Sequence, residues 1–111
     1  MVQTVPIRER GKMDNVNSVF VDIYEWRDKT YGNTYQAARV SVNGEWQFNL
    51  EMQYGYGDQI VYDAYKELAN RGYFSYDEYR APSYSLREQG IALYVSRRDC
   101  KKRDLPKKDG F

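Results

Sequence analysis

The sequence predicts an α+β fold, a three-stranded antiparallel meander packed by one main helix, followed by a short second helix and a fourth strand. Three observations carry that reading. Between Val16 and Gln53, three runs rich in β-branched and aromatic residues are separated by turn-forming Gly and Asn residues. From Asp58 to Arg71 apolar residues recur at helical spacing. Near the end, Ile91, Leu93 and Val95 alternate with Ala92, Tyr94 and Ser96, as one more strand would.

The first strand is VNSVFVDIYEW, Val16 to Trp26. Alternation sends Val19, Val21 and Ile23 to one face and Phe20, Asp22, Tyr24 and Trp26 to the other. RDKTYGN is a turn, and NTYQAARVSV, Asn33 to Val42, is the second strand. The third, Glu45 to about Gln53, sets Trp46, Phe48, Leu50 and Met52 against Gln47, Asn49 and Glu51, so the apolar set is expected inside.

The Asn43-Gly44 pair between these strands usually forms a two-residue type I′ hairpin. That turn places Trp46 opposite Ser41 and Phe48 opposite Arg39, which mixes apolar with polar positions. A three-residue loop, Val42 to Gly44 with Gly44 left-handed in a bulge, aligns Trp46 with Val40, Phe48 with Ala38 and Leu50 with Gln36. Because a one-residue slip exchanges the faces of a strand, the hydrophobic pattern predicts the bulged loop. The same logic aligns Val19, Val21 and Ile23 with Val40, Ala38 and Gln36.

In the helix, Ile60, Val61, Ala64, Tyr65, Leu68 and Ala69 form one apolar stripe, opposite Gln59, Asp63, Lys66, Glu67 and Asn70. Asp58 is placed to cap the first turn and Gly72 to close the last. Gly55 and Gly57 give a G-x-G before the helix, but Ile60 stands where a dinucleotide fingerprint needs its third glycine and no phosphate-binding lysine follows. Asp58 would also repel a phosphate there, so the segment reads as a tight turn. Ser75 with Glu78 fits a capping box, predicting a short helix from Tyr76 to Arg80 that Pro82 stops, with a further helical turn from Ser83 to Gln89 ending at Gly90.

The chain has 111 residues, enough for one core. Twelve are Tyr, so much of the packing surface is expected to be aromatic with a polar tip. No apolar run reaches the length of a membrane span and no signal-peptide core precedes the domain, so a cytoplasmic protein is expected. The organisation read from this is a mobile arm over residues 1–14, a single domain over 15–98 and a basic, fraying tail over 99–111.

There is no histidine and one cysteine, Cys100, which leaves no disulfide framework, no Cys/His metal site and no imidazole base. No metal, no cofactor and no catalytic residue is therefore expected. A thiol beside Arg97, Arg98, Lys101 and Lys102 invites a lowered pKa, although a cysteine that simply ends a strand is the plainer reading. The acid pairs Asp77 with Glu78 and Asp22 with Glu51 have no visible catalytic partners, and read as surface.

The net charge of +1 conceals a division. Residues 97–111 hold seven basic and three acidic residues, residues 1–12 three and one, and the body between them carries a net charge of −5. An acidic body with two basic ends is unlike a domain whose main surface tracks phosphates.

The segments GNTYQAARVSVNGE, YGYGDQ and SRRDCKKRDL resemble recurring signatures of small accessory proteins encoded by bacteriophages, over roughly Ser18 to Leu105. The resemblance implies a setting, a bacterial cytoplasm in which such proteins bind host or defence machinery. It assigns no residue a role.

Two sites follow from the residues. Phe20, Tyr24, Trp26, Tyr35 and Arg39 share the second face of the sheet, and aromatic and Arg side chains are the types that concentrate binding energy at protein interfaces. A protein partner or a homodimer is expected there, unless the Tyr-rich segment Phe74 to Ser85 covers the face as a second packing layer. Alternatively, the rings stack single-stranded nucleic acid while Lys101, Lys102, Arg103, Lys107 and Lys108 hold its phosphates.

Overall fold

The computed structural model describes residues 15–55 and 57–108. Its elements are β1 (Ser18–Asp28), β2 (Asn33–Val42), β3 (Glu45–Tyr54), α1 (Gln59–Asn70), α2 (Pro82–Glu88), β4 (Ala92–Asp99) and a 3-10 turn at Lys102–Asp104. The arm expected over 1–14 lies outside the described residues.

The sheet order is β3-β2-β1-β4, with β4 parallel to β1 and the other pairs antiparallel. The α+β order of elements is as the sequence predicts. The fourth strand joins beside the first, which makes β1 and β2 the two central strands and leaves β3 and β4 as the edges.

Helix α1 carries the predicted stripe inward: Ile60, Val61, Ala64, Tyr65 and Leu68 are buried. They meet Val19, Val21 and Ile23 of β1, Ala38, Val40 and Val42 of β2, and Phe48 of β3. Gly72 takes φ +91°, and the N–H groups of Gly72 and Tyr73 return to the carbonyls of Ala69 and Leu68 at 3.0 and 3.1 Å, closing the helix. Asp58, in contrast, makes no side-chain cap. Its carboxylate pairs with Arg97, in a chain of contacts that runs on through Glu25 to Gln36.

The Asn-Gly hairpin corrects the expected register. Asn43 and Gly44 both have positive φ (53° and 83°), and Val42 pairs with Glu45, so the loop has two residues. The extra residue enters β3 instead, between Trp46 and Phe48, so Ser41 faces Trp46 while Val40 faces Phe48 and Ala38 faces Leu50. Turn chemistry and apolar pattern are thereby both satisfied, and Trp46 moves to the second face. The β1–β2 register is also offset by two residues from expectation: Val19 faces Val42, Val21 faces Val40 and Ile23 faces Ala38. A two-residue shift leaves each face unchanged.

The second helix starts where the first was expected to stop. Residues 76–80 form no helix, and Pro82 opens α2 at its first position, where its missing N–H costs nothing. Residues 74–77 instead fold onto α1: the Tyr65 ring contacts Phe74 at 5.5 Å and Tyr76 at 5.3 Å. The Tyr65 hydroxyl accepts the N–H of Asp77 (2.6 Å) and bonds Ser85 (2.7 Å).

Residues 99–108 pack against the sheet. After β4, the Cys100 N–H donates to the carbonyl of Glu25 at 2.8 Å, Leu105 and Pro106 are buried, and the Asn49 amide donates to the carbonyl of Lys107 at 2.6 Å. The segment is a strap from the end of β4 to the middle of β3. Its burial of one Leu and one Pro among charged residues has no period that a sequence reading could detect.

Candidate functional site

The second sheet face is built in rows across the strands. One row is Tyr94, Phe20, Ser41 and Trp46; the next is Ser96, Asp22, Arg39 and Asn49; a third sets Arg98 beside Tyr24 and Ala37; the last pairs Trp26 with Tyr35 and Tyr35 with Tyr54. The strap crosses the middle of this face. Segment 74–85 does not, since it packs on α1.

The covered rows are a polar and cation–π lattice. Asp22, nearly buried, accepts the Ser96 hydroxyl at 2.6 Å and Arg98 at 3.1 Å. The Tyr24 ring lies between the guanidinium groups of Arg98 (4.7 Å) and Arg39 (5.3 Å). Ala37 is fully buried here although it lies outside the main core cluster. Of the predicted site residues, Tyr24 and Arg39 are therefore occupied within the fold.

Trp26 and Tyr35 stack at 5.3 Å, Tyr35 meets Tyr54 edge-on at 5.8 Å, and Lys102 of the strap sits 5.4 Å above Trp26. Near this end Lys101 and Arg103 are exposed, and Lys107 and Lys108 are exposed farther along the strap beside Asn49; none of the four has an acidic side chain of the described residues in ion-pair range. This is the basic, aromatic end of the molecule.

The opposite end is aromatic and partly exposed. Phe20 is 37% exposed, Trp46 43% and Tyr94 59%. The Trp46 indole N–H donates to Asn49 at 2.7 Å, which holds the ring against the sheet. Phe20 was predicted for this site; Trp46 and Tyr94 were not. The Asn-Gly turn was the available signal for Trp46, because a two-residue loop places it opposite Ser41.

Asp22 shares its row with Arg39 and Asn49, and Asp77 accepts the Tyr79 N–H at 2.9 Å and pairs with Arg80 at 3.5 Å. Cys100 is half-buried, and burial first, then Asp104 and Asp99, push its thiol above the ordinary value; Arg98 alone opposes them. The basic residues that flank it in sequence do not bring its pKa below the ordinary value. Among the described residues no group of three or more His, Cys, Asp or Glu is placed to hold a metal, and no helix is long and apolar enough to cross a membrane. No family model matches the chain, and no curated protein or solved structure is detectably similar to it.

Proposed function

We propose that the protein is a small non-enzymatic binding module whose docking surface is the open row of Phe20, Trp46 and Tyr94. One observation carries this reading: three large rings stand exposed in one row across the strands, Tyr94 beside Phe20 and Trp46 beyond Ser41, with no charged residue in that row. Aromatic anchors held in place lose little freedom on binding. The sequence signatures that resemble small phage proteins make a bacterial host or defence protein the partner class, and a phage accessory factor acting in the bacterial cytoplasm the role. The double variant Phe20→Ala/Trp46→Ala should lose a partner captured from nuclease-treated bacterial lysate while keeping the wild-type circular dichroism. Undiminished capture would refute the reading.

The basic end supports a second reading, single-stranded nucleic-acid binding. The row Trp26, Tyr35 and Tyr54 offers π-faces beside Lys102, and Lys101, Arg103, Lys107 and Lys108 carry charge that no described acid neutralises. Binding of a fluorescent oligo-dT should then fall steeply with salt and weaken in Lys101→Ala/Lys102→Ala/Arg103→Ala. Salt-insensitive or absent binding would remove it.

A further inference from the structure

On the helix side of the sheet an apolar groove of about 560 Å³ runs between α1, α2 and the β4 edge, lined by Val61, Tyr62, Pro82, Leu93 and Val95. A further hollow of about 510 Å³ continues it past Ser83 and Leu93 to Arg87 and Ile91. Groove and edge share residues. Ala92 and Cys100 donate their N–H groups to the carbonyls of Asn17 and Glu25, so the even-numbered residues of β4 face β1, and Leu93, Val95 and Arg97 turn N–H and C=O outward. Among the described residues no strand or loop pairs with them. Their side chains line the groove. A strand added at this edge therefore sends every second side chain into it.

The two ends of the groove differ in charge. Arg97, at one end, is matched by Asp58 and Glu25. Arg87, at the other, is exposed; among the described residues it meets the Tyr84 ring at 5.6 Å and no acidic side chain in ion-pair range. An occupant of the groove thus gains from a carboxylate at the Leu93 end and from none at the Arg97 end. This asymmetry separates the candidate occupants. A second copy pairing antiparallel brings its own Arg97 and Arg98 toward Arg87, and residues 1–12 of the chain hold three basic residues against one acid. Neither supplies the carboxylate.

We infer that this edge and groove take an extended peptide of another protein, added to the sheet beside β4. Two apolar side chains at alternate positions lie opposite Val95 and Leu93, and a carboxylate at the next alternate position lies opposite Ile91, beside Arg87. The main-chain ladder supplies affinity that does not depend on the peptide's sequence. The groove selects the apolar pair and Arg87 selects the acid. The site is on the opposite side of the sheet from Phe20, Trp46 and Tyr94, and does not depend on that row.

The test is selection of binders to the full chain from a random peptide library, with the enriched peptides synthesised and their binding followed by fluorescence anisotropy and amide hydrogen exchange. The expected peptides carry the alternating apolar pair with Asp or Glu at the next alternate position. On binding they should slow exchange at Val95 and Arg97, whose N–H groups face outward, more than at Tyr94 and Ser96, which face β1. Val95→Pro deletes an outward donor and spares the β1 ladder, so it should abolish binding. Arg87→Glu should weaken these peptides about tenfold, and selection repeated on that variant should replace Asp or Glu with Lys or Arg. If Val95→Pro fails to fold, Arg87→Glu decides alone, since that side chain is exposed. No enrichment, peptides indifferent to Arg87→Glu, or protection gained elsewhere would overturn the proposal. So would Val95 and Arg97 amides protected before any peptide is added, because the chain itself or a second copy would then cover the edge. The lysate capture reads Phe20 and Trp46 on the other face, so the two proposals fail separately.

Discussion

The two faces of the four-stranded sheet are packed by opposite means. On one face, aliphatic side chains of β1 and β2 lie under an amphipathic helix, and Ile23, Ala38, Val40, Ile60 and Leu68 are fully excluded from water. On the other, Asp22 and Asn49 are buried in a polar and cation–π lattice, crossed by a strap in which Leu105 and Pro106 are buried. The first face shows how a regular element buries a regular pattern. The second shows a short irregular segment held by individual contacts, each replaceable and each specific. A face covered in this way keeps open ends, and the exposed aromatic residues are found there.

The sharpest way to break the comparison is to remove a side chain from the helix-covered face. Ile23→Ala empties a fully buried site and should cost about 3–4 kcal/mol in urea unfolding. Leu105→Ala truncates a buried side chain of the strap and should cost about 2–3 kcal/mol; a cost under about 0.5 kcal/mol would mean that residues 99–108 are a loose tail. Tyr65→Phe deletes the hydroxyl that bridges Asp77 and Ser85 and should cost about 1–2 kcal/mol, with the loss reported by faster hydrogen exchange in residues 74–77. Cys100 gives a pH-dependent check on the strap. Because burial raises its thiol pKa, alkylation by iodoacetamide at neutral pH should be slower than that of a free cysteine, and should reach that of a free cysteine in a chain carrying Leu105→Ala. The smallest effect on stability is expected from Phe20→Ala, under about 1 kcal/mol, since that ring remains partly in water.

These contrasts also explain what the sequence made legible. The stripe of α1 and the alternation of Val19, Val21 and Ile23 are periodic signals, and periodicity is what a helix on a sheet imposes. The Schellman-type closure at Gly72 was equally readable, because only a residue free to take positive φ fits there. The hairpin was harder: Asn43-Gly44 argued for two residues and the core for three, and a bulge inside β3 reconciled them. No local pattern announces such a bulge. It determined the site, since it set Trp46 in the same row as Phe20, across Ser41. The strap was illegible for another reason: KKRDLPKK reads as a solvated run, and its placement depends on Glu25 and Trp26 of β1 and Asn49 of β3, all distant in sequence. Likewise Tyr24 and Arg39 share a face as predicted, but their roles there depended on Arg98, whose position required the placement of β4.

The proposal that the open aromatic row binds a protein is tested most directly by comparing wild type with Phe20→Ala/Trp46→Ala as tagged baits in nuclease-treated bacterial lysate. The partner retained should be identified by mass spectrometry and both melting curves measured. The account predicts a stoichiometric protein partner on the wild type, its loss from the variant and melting temperatures that nearly coincide. Equal retention by both baits, or recovery only when nucleic acid is left intact, would contradict it.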